Sequence, residues 1–248
     1  MYMHLHLQWS HLYTLLKVVL VVAVLSLVNR QCRKPTGWLG GRVARAMNVS
    51  HARLAKWGLS HVVVGDDFTV LDVGCGGGRL IETLASLAPA GRVFGIDYSA
   101  TSVEIARATN AASIAGGRVD IRHGVVSHLP FHADTFDLVT AFETHFYWPD
   151  LPRDVGEVMR VLKPGGTFLL VAEVYRGQRL SWLYGVGMAM VRGKYLTAAQ
   201  HRDLFVNAGF ADVVVDADPA RGWISVRGMK SGGREPRAAG PSSASSTS

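Results

Sequence analysis

A chain of 248 residues with 48% hydrophobic side chains and 27 glycines is long enough to bury one full core, so one globular domain with appendages is expected. Two cysteines, Cys32 and Cys75, exclude a disulfide framework, and a reducing compartment, the cytoplasm, is the simpler setting. The net charge of +7 is uneven: residues 1–65 hold eight basic residues and no acid, whereas from Asp66 onward 18 basic residues face 19 acidic ones, and so neutral a main domain speaks against a nucleic-acid partner.

In chain order, the first feature is "LYTLLKVVLVVAVLSLV", residues 12–28, an apolar run interrupted by Lys17. Its length sits at the short limit for crossing a bilayer, where about 20 residues are usual. Arg30, Arg33 and Lys34 follow at once and would hold the C-terminal side in the cytoplasm. A membrane anchor competes here with a cleaved signal peptide, a buried core helix and an upstream extension from a wrongly chosen start codon. "SLVNRQC" offers a signal peptidase no small-x-small site. Residues 1–35 are set apart on this basis from a domain over residues 36–230.

Within that domain strands alternate with helices. "FTVLDVG" is a short β-branched run ending in glycine, a buried strand, and "GRLIETLASLA" follows with helical spacing at Leu80, Leu84 and Leu87. "RVFGIDYS" is a second strand; "TSVEIARATNAA" opens a helix with a capping box of Thr101 and Glu104. "RVDIRHG" and "FDLVTAF" are the third and fourth strands. "RDVGEVMRVLKPGG" is an amphipathic helix stopped by Pro164 and two glycines, with Pro149 and Asp150 at its start, and "TFLLVAEV" is a fifth strand. "TAAQHRDLFVNAGF" repeats the capping box at Thr197 and Gln200; "ADVVVDA" and "GWISVRGMK" close the domain as a strand pair. Residues 231–248, "SGGREPRAAGPSSASSTS", have almost nothing to bury and read as a disordered tail. The pattern specifies a doubly wound, mainly parallel α/β sheet, whose ligands bind beyond the carboxyl ends of the strands.

That edge carries the chemistry. Gly74, Gly76 and Gly78 form G-x-G-x-G, with Cys75 inside the turn; the dinucleotide fingerprint wants its third glycine one position later, where Arg79 stands. Asp72 lies two residues before the first glycine, where it would repel a pyrophosphate but suit a cationic ligand. Asp97 ends the next strand, where a carboxylate accepts from both hydroxyls of a ribose, a role shared with the NAD-binding fold. No metal site is expected: His128 and His132 are four apart, but Pro130 between them breaks the helix that would join them.

"VLDVGCGGGR" with "GIDYS", then "LPF", "FDLVTAFE" and "LKPGGTFLL", resembles the class I S-adenosylmethionine-dependent methyltransferases. "FETHFYWPDL", Phe142 to Leu151, and the lead-in "AMNVSHARLAKWGLSHV" are similar to a small-molecule, methyltransferase type 11-like subgroup of that class. The resemblance covers about residues 40 to 230. It implies a seven-stranded Rossmann-like sheet ending in an antiparallel hairpin, S-adenosyl-L-methionine as cofactor, and a small-molecule acceptor. It places the methionine end at Asp72 and the glycine turn, the ribose at Asp97 and the adenine beside Tyr98, with Gly124, Val125, Val126 and Phe142 completing the cofactor site. Relatives often carry Asp or Ser after Gly124; here Val125 stands there, and the Val126 backbone or the Ser127 hydroxyl would have to replace that acceptor.

Methyl transfer from a sulfonium is an in-line displacement, so the protein mainly aligns the reacting atoms and excludes water. Candidates on the acceptor side follow the fourth strand. His145 titrates in the useful range and reads as a base or as a polar wall residue. Glu143 reads as a base or as a contact to the methionine end or a backbone amide. Tyr147, with Phe146 and Trp148, reads either as packing or as an aromatic face toward the sulfonium. The lead-in with Met47, Asn48, His51 and Trp57, and the insertion with Trp182 and Tyr184, read as lids that suit an apolar or aromatic acceptor. Competing classes are a non-catalytic or regulatory protein of the same fold, an NAD(P)-dependent oxidoreductase, and an RNA methyltransferase using the basic arm; the "NPPY"-like segment of many base-modifying enzymes is absent.

Overall fold

A computed structural model describes residues 33–178 and 181–232, together with Tyr13, Leu16, Lys17, Val19, Leu20, Ala23, Val24, Leu27 and Gln31; for residues 44–50 and Leu183 it describes the backbone alone. The tail beyond residue 232 and most of residues 12–28 lie outside these. Among the described residues no helix is long and apolar enough to cross a membrane.

The chain enters through α1 (Gly37–Ser50) and α2 (Ala52–Leu59), then alternates: β1 (Thr69–Val73), α3 (Arg79–Leu87), β2 (Arg92–Asp97), α4 (Ala100–Thr109), the short α5 (Ala111–Ala115), β3 (Val119–His123) and β4 (Phe136–Phe142). A 3₁₀ turn (His145–Tyr147) leads to α6 (Leu151–Val161), β5 (Leu162–Ala172), α7 (Ser181–Met190), α8 (Ala198–Asn207), β6 (Ala211–Asp218) and β7 (Trp223–Met229). The seven strands run in the order β3-β2-β1-β4-β5-β7-β6. The first five pair in parallel, and β7 pairs antiparallel with both β5 and β6, the closing hairpin expected from the sequence. The order reverses between β1 and β4, so the crevice that opens there faces the ends of β1, β2 and β4.

The period-two alternation of the strands explains the two cores. Leu71, Phe94, Val139, Phe168 and Leu170 point to one face, under α6 and α8, where Phe168 stacks on Phe205 at 4.8 Å. Val70, Val93, Leu138, Leu169 and Val171 point to the other, under α2, α3 and α4, where Leu54, Ile81 and Leu84 are fully buried. Each such side chain contributes roughly 1.5–3 kcal/mol by burial, which is why strands buried on both faces read as nearly continuous apolar runs.

Two local readings change. The helix after β2 starts two residues earlier than its capping box suggests: Ser99 is the N-cap and accepts from Ser102 N–H, because its hydroxyl stands on extended backbone at the strand exit. β5 begins at Leu162 and not at Thr167, since Phe136 of β4 pairs with Leu162 before a register shift. The capping box of Thr197 and Gln200 forms as read, with both reciprocal bonds present.

Candidate functional site

A cavity of about 590 Å³ opens at the reversal of strand order. Asp72, Gly74, Cys75, Gly76, Asp97, Tyr98 and Phe142 line it, along with Glu143 and Tyr147. Gly78, Gly124, Val125, Val126 and His145, also expected at the site, are not among the lining residues.

β1 delivers the first group. Asp72 is 2% exposed, and Thr140 of β4 donates its hydroxyl to Asp72 Oδ1 at 2.8 Å. Burial pushes the carboxyl up to about 7, the Thr140 hydrogen bond pulls it down, and the Asp97 charge pushes it further up. Near neutral pH about half of this carboxyl is therefore protonated, and a cation placed beside it would favour the anion. Gly74 turns the chain at φ 76°, and a Cβ there would fall 2.2 Å from Thr144 Oγ1, so only glycine fits against the end of β4. Gly78 serves packing instead: at φ 80° it precedes α3, and a Cβ would meet Ala106 of α4 at 2.8 Å.

β2 delivers the second group. Asp97 Oδ2 accepts from Gly76 N–H at 2.9 Å and Oδ1 from Ser99 N–H at 2.8 Å. Burial raises its carboxyl, while these two backbone donors hold it down. The bonds lock the carboxylate in position and leave each oxygen further acceptor capacity toward the cavity. The Cys75 thiol is pushed well above its ordinary range by burial and by the two neighbouring carboxylates, which makes it an inert wall. Across the opening lies the segment that precedes α1: Pro35 O accepts from the Ser99 hydroxyl at 2.7 Å, Arg33 O accepts from the Tyr98 hydroxyl, and the Arg33 guanidinium sits 5.7 Å from the Tyr147 ring.

The segment after β3 turns away. Val125 is 49% exposed and Val126 packs in the core. Ser127 does not line the cavity, and its hydroxyl is turned to α6, where it donates to Asp154 at 2.6 Å. The segment after β4 divides. Phe146 and Trp148 are buried in the core, whereas Tyr147 faces the cavity. Glu143, at φ 57°, accepts through Oε1 from the Glu173 backbone N–H, and burial raises its carboxyl to about 8.

His145 is the clearest correction. It is fully buried, its Nε2 lies 3.0 Å from His201 Nε2 of α8, and its Nδ1 has no partner. The 3₁₀ turn aims the ring at α8 and away from the cavity, so it cannot serve there as a base. Burial lowers both rings, His145 well below the ordinary range and His201 to about 4, so the pair folds neutral. The unfolded state regains protons below about 6.5, so the pair's contribution is intact above that pH and is lost as pH falls toward 4. Each ring costs up to about 1.4 kcal/mol per pH unit in that window. Urea unfolding should show wild type losing stability relative to an H145L/H201L variant between pH 6.5 and 4; a difference that does not change with pH would mean that the rings are not held neutral.

Sequence reasoning placed His51 in a lid, and it does line the cavity, at the junction of α1 and α2. Trp57 instead packs on His61 and Trp223. Trp182 and Tyr184 are 72% and 44% exposed and do not reach the cavity. Thr144, one of the candidates after the fourth strand, does line the cavity and is the side chain that forces glycine at position 74. Glu173 was missed, because it follows a strand with no motif around it.

Residues 71–170 match the family model of a methyltransferase domain. Over 132 residues the chain is 37% identical to a demethylmenaquinone methyltransferase of Symbiobacterium thermophilum, covering 50% of this chain and 52% of that protein. Over 168 residues it is 36% identical to a nocamycin O-methyltransferase of Saccharothrix syringae, covering 64% and 60%. The chain spans about half the length of the curated relatives it matches. In fold it is similar to a chain from a complex between the Haloferax volcanii Trm112 methyltransferase activator and a methyltransferase, with a TM-score of 0.67 at 24% identity over 78% of this chain and 96% of that one.

Proposed function

From the premise that the chain carries a class I S-adenosylmethionine-dependent methyltransferase domain, with S-adenosyl-L-methionine as methyl donor, we propose that the protein methylates a small, apolar or aromatic acceptor. The observation that carries the reading is the pair of carboxylates on one cavity. Asp72 and Asp97 stand at the ends of adjacent parallel strands, one suited to an ammonium group and one to a ribose. A diphosphate on the glycine turn would meet the Asp72 charge, whereas the Asp97 position also suits the ribose of a dinucleotide.

In this reading the donor lies along β1 and β2 with its sulfonium toward Tyr147 and Glu143. The acceptor enters from the side of α1 and α2. A lone pair of its nucleophilic atom forms the new bond to the methyl carbon, and the carbon–sulfur bond breaks with its electron pair passing to sulfur, leaving a neutral thioether. An oxygen acceptor also releases its proton. Leu59, Leu80 and Phe142 give the cavity apolar walls that exclude water. A quinone-type acceptor fits this lining and the names of several relatives. If residues 12–28 hold the protein at a membrane, with the domain in the cytoplasm, a lipid-soluble acceptor follows.

Calorimetry on the full chain tests the cofactor side. S-adenosylmethionine and S-adenosylhomocysteine should bind and NADH should not, and Asp97→Ala should weaken both by about 10- to 100-fold, the worth of hydrogen bonds to a charged group. NADH binding, or an Asp97→Ala variant with wild-type affinity, would overturn the assignment.

A further inference from the structure

His51 and Glu143 line the cavity and Glu173 stands beside them, the three converging from separate parts of the chain, the α1–α2 junction and the ends of β4 and β5. One donor atom from each lies within 4.8 Å of the other two. Such closeness of two carboxylates normally brings a lysine or arginine between them. Here, among the described residues, neither carboxylate has such a partner: of the basic side chains that line the cavity, Arg79 pairs with Glu82, Arg33 donates to Val191 O, and Lys56 forms no ion pair with either glutamate. The His51 and Glu173 side chains make no hydrogen bond to each other, so this is not a preformed proton relay. What holds the group together is the backbone, since Glu173 N–H fixes Glu143 Oε1 and leaves Oε2 available.

We propose that His51, Glu143 and Glu173 bind a divalent cation that orients the acceptor. The inference rests on the methyl-transfer reading and deepens it. One imidazole and two carboxylates on one side of a cation suit manganese, iron or magnesium in octahedral geometry and leave positions open for other oxygens. The matching acceptor carries two adjacent oxygen donors, a hydroxyl beside a carbonyl or beside a second hydroxyl. Bound through both, its hydroxyl loses a proton to solvent more readily, and the remaining oxygen lone pair is aimed at the methyl carbon. The bond formed is oxygen to methyl carbon, and the bond broken is methyl carbon to sulfur. The cation keeps its oxidation state throughout.

Manganese(II) titrated into the full chain and followed by electron paramagnetic resonance tests the site, with S-adenosylhomocysteine calorimetry on the same samples. Wild type should bind one manganese ion per chain. Glu173→Gln and His51→Asn should each weaken that binding at least about tenfold while keeping S-adenosylhomocysteine affinity within about twofold, which shows that the variants are folded. A manganese signal that stays free with wild type, or binding that both variants retain in full, overturns the proposal. Manganese binding by a chain that takes no S-adenosylhomocysteine would leave the metal site standing and remove the cofactor reading, so the two failures are distinguishable.

Discussion

Asp72→Asn should abolish S-adenosylmethionine binding at working concentrations and, in the empty protein, raise the melting temperature at pH 8. Both effects come from one buried carboxyl whose folded value of about 7 lies far above the ordinary 3.8. A raised carboxyl means that the folded state favours the proton. The empty protein therefore loses stability as pH rises from about 4 to 7 and carries the full penalty above 7, on the order of 4 kcal/mol. Asparagine keeps the shape and still accepts from Thr140 through its amide oxygen, but removes the charge. A shift of at least about 5 °C at pH 8, with little at pH 4, is the expected result.

The ligand uses the same charge in the opposite sense. Its ammonium and sulfonium stabilise the anion that burial disfavours, so affinity in wild type should fall as pH drops through 7, up to about tenfold per unit. Asp97 is raised as well and adds to this at lower pH, so the comparison with the variant isolates Asp72. Calorimetry at pH 5.5, 6.5 and 7.5 and thermal unfolding at pH 4 and 8 supply the measurements. Equal melting temperatures at pH 8, or wild-type affinity that ignores pH, would show that Asp72 is not a strained anion awaiting a cation.

Gly74→Ala should be among the most damaging single methyls in the domain. The added carbon would fall 2.2 Å from Thr144 Oγ1 and 2.6 Å from Thr144 Cβ, on backbone at φ 76°. Left-handed backbone costs about 1–2 kcal/mol for a residue with a Cβ, and forced overlap adds about 1–3 kcal/mol. Thr144 cannot swing aside freely, because it is β-branched and its hydroxyl accepts from the Trp148 indole at 3.3 Å. Displacing it shifts Glu143 and Tyr147, its near neighbours on the cavity wall. The variant should lose about 2–5 kcal/mol by urea unfolding and bind no cofactor. Gly76→Ala provides the contrast: its Cβ meets nothing within 4 Å, so only backbone strain applies and the fold should persist with weakened binding. A Gly74→Ala protein with a wild-type unfolding midpoint would mean that the close approach to Thr144 is wrong.

These expectations separate what is local from what is not. Strand runs such as "FDLVTAF" and caps such as Thr197 with Gln200 were legible because their signals lie within a few residues. Thr101 misled for the same local reason: a capping box describes hydrogen bonds that the segment is able to make, while the strand exit before it had already turned Ser99 into position. His145 was misread because its motif supplies a titratable ring without a direction. Three positions on a 3₁₀ turn send Phe146 and His145 inward and Tyr147 to the cavity, and only packing against α8 decides which.

By itself, the amino-acid order determined the alternating sheet, the glycine turn and the sign of charge at the ends of β1 and β2, since periodicity, positive φ and strand-end placement are properties of short segments. The tertiary structure alone decided that Ser127 turns to Asp154, that His145 pairs with His201, and that donor atoms of His51, Glu143 and Glu173 lie within 4.8 Å of one another. Those contacts join residues far apart in the chain, and their energy depends on burial and distance, which no short segment encodes.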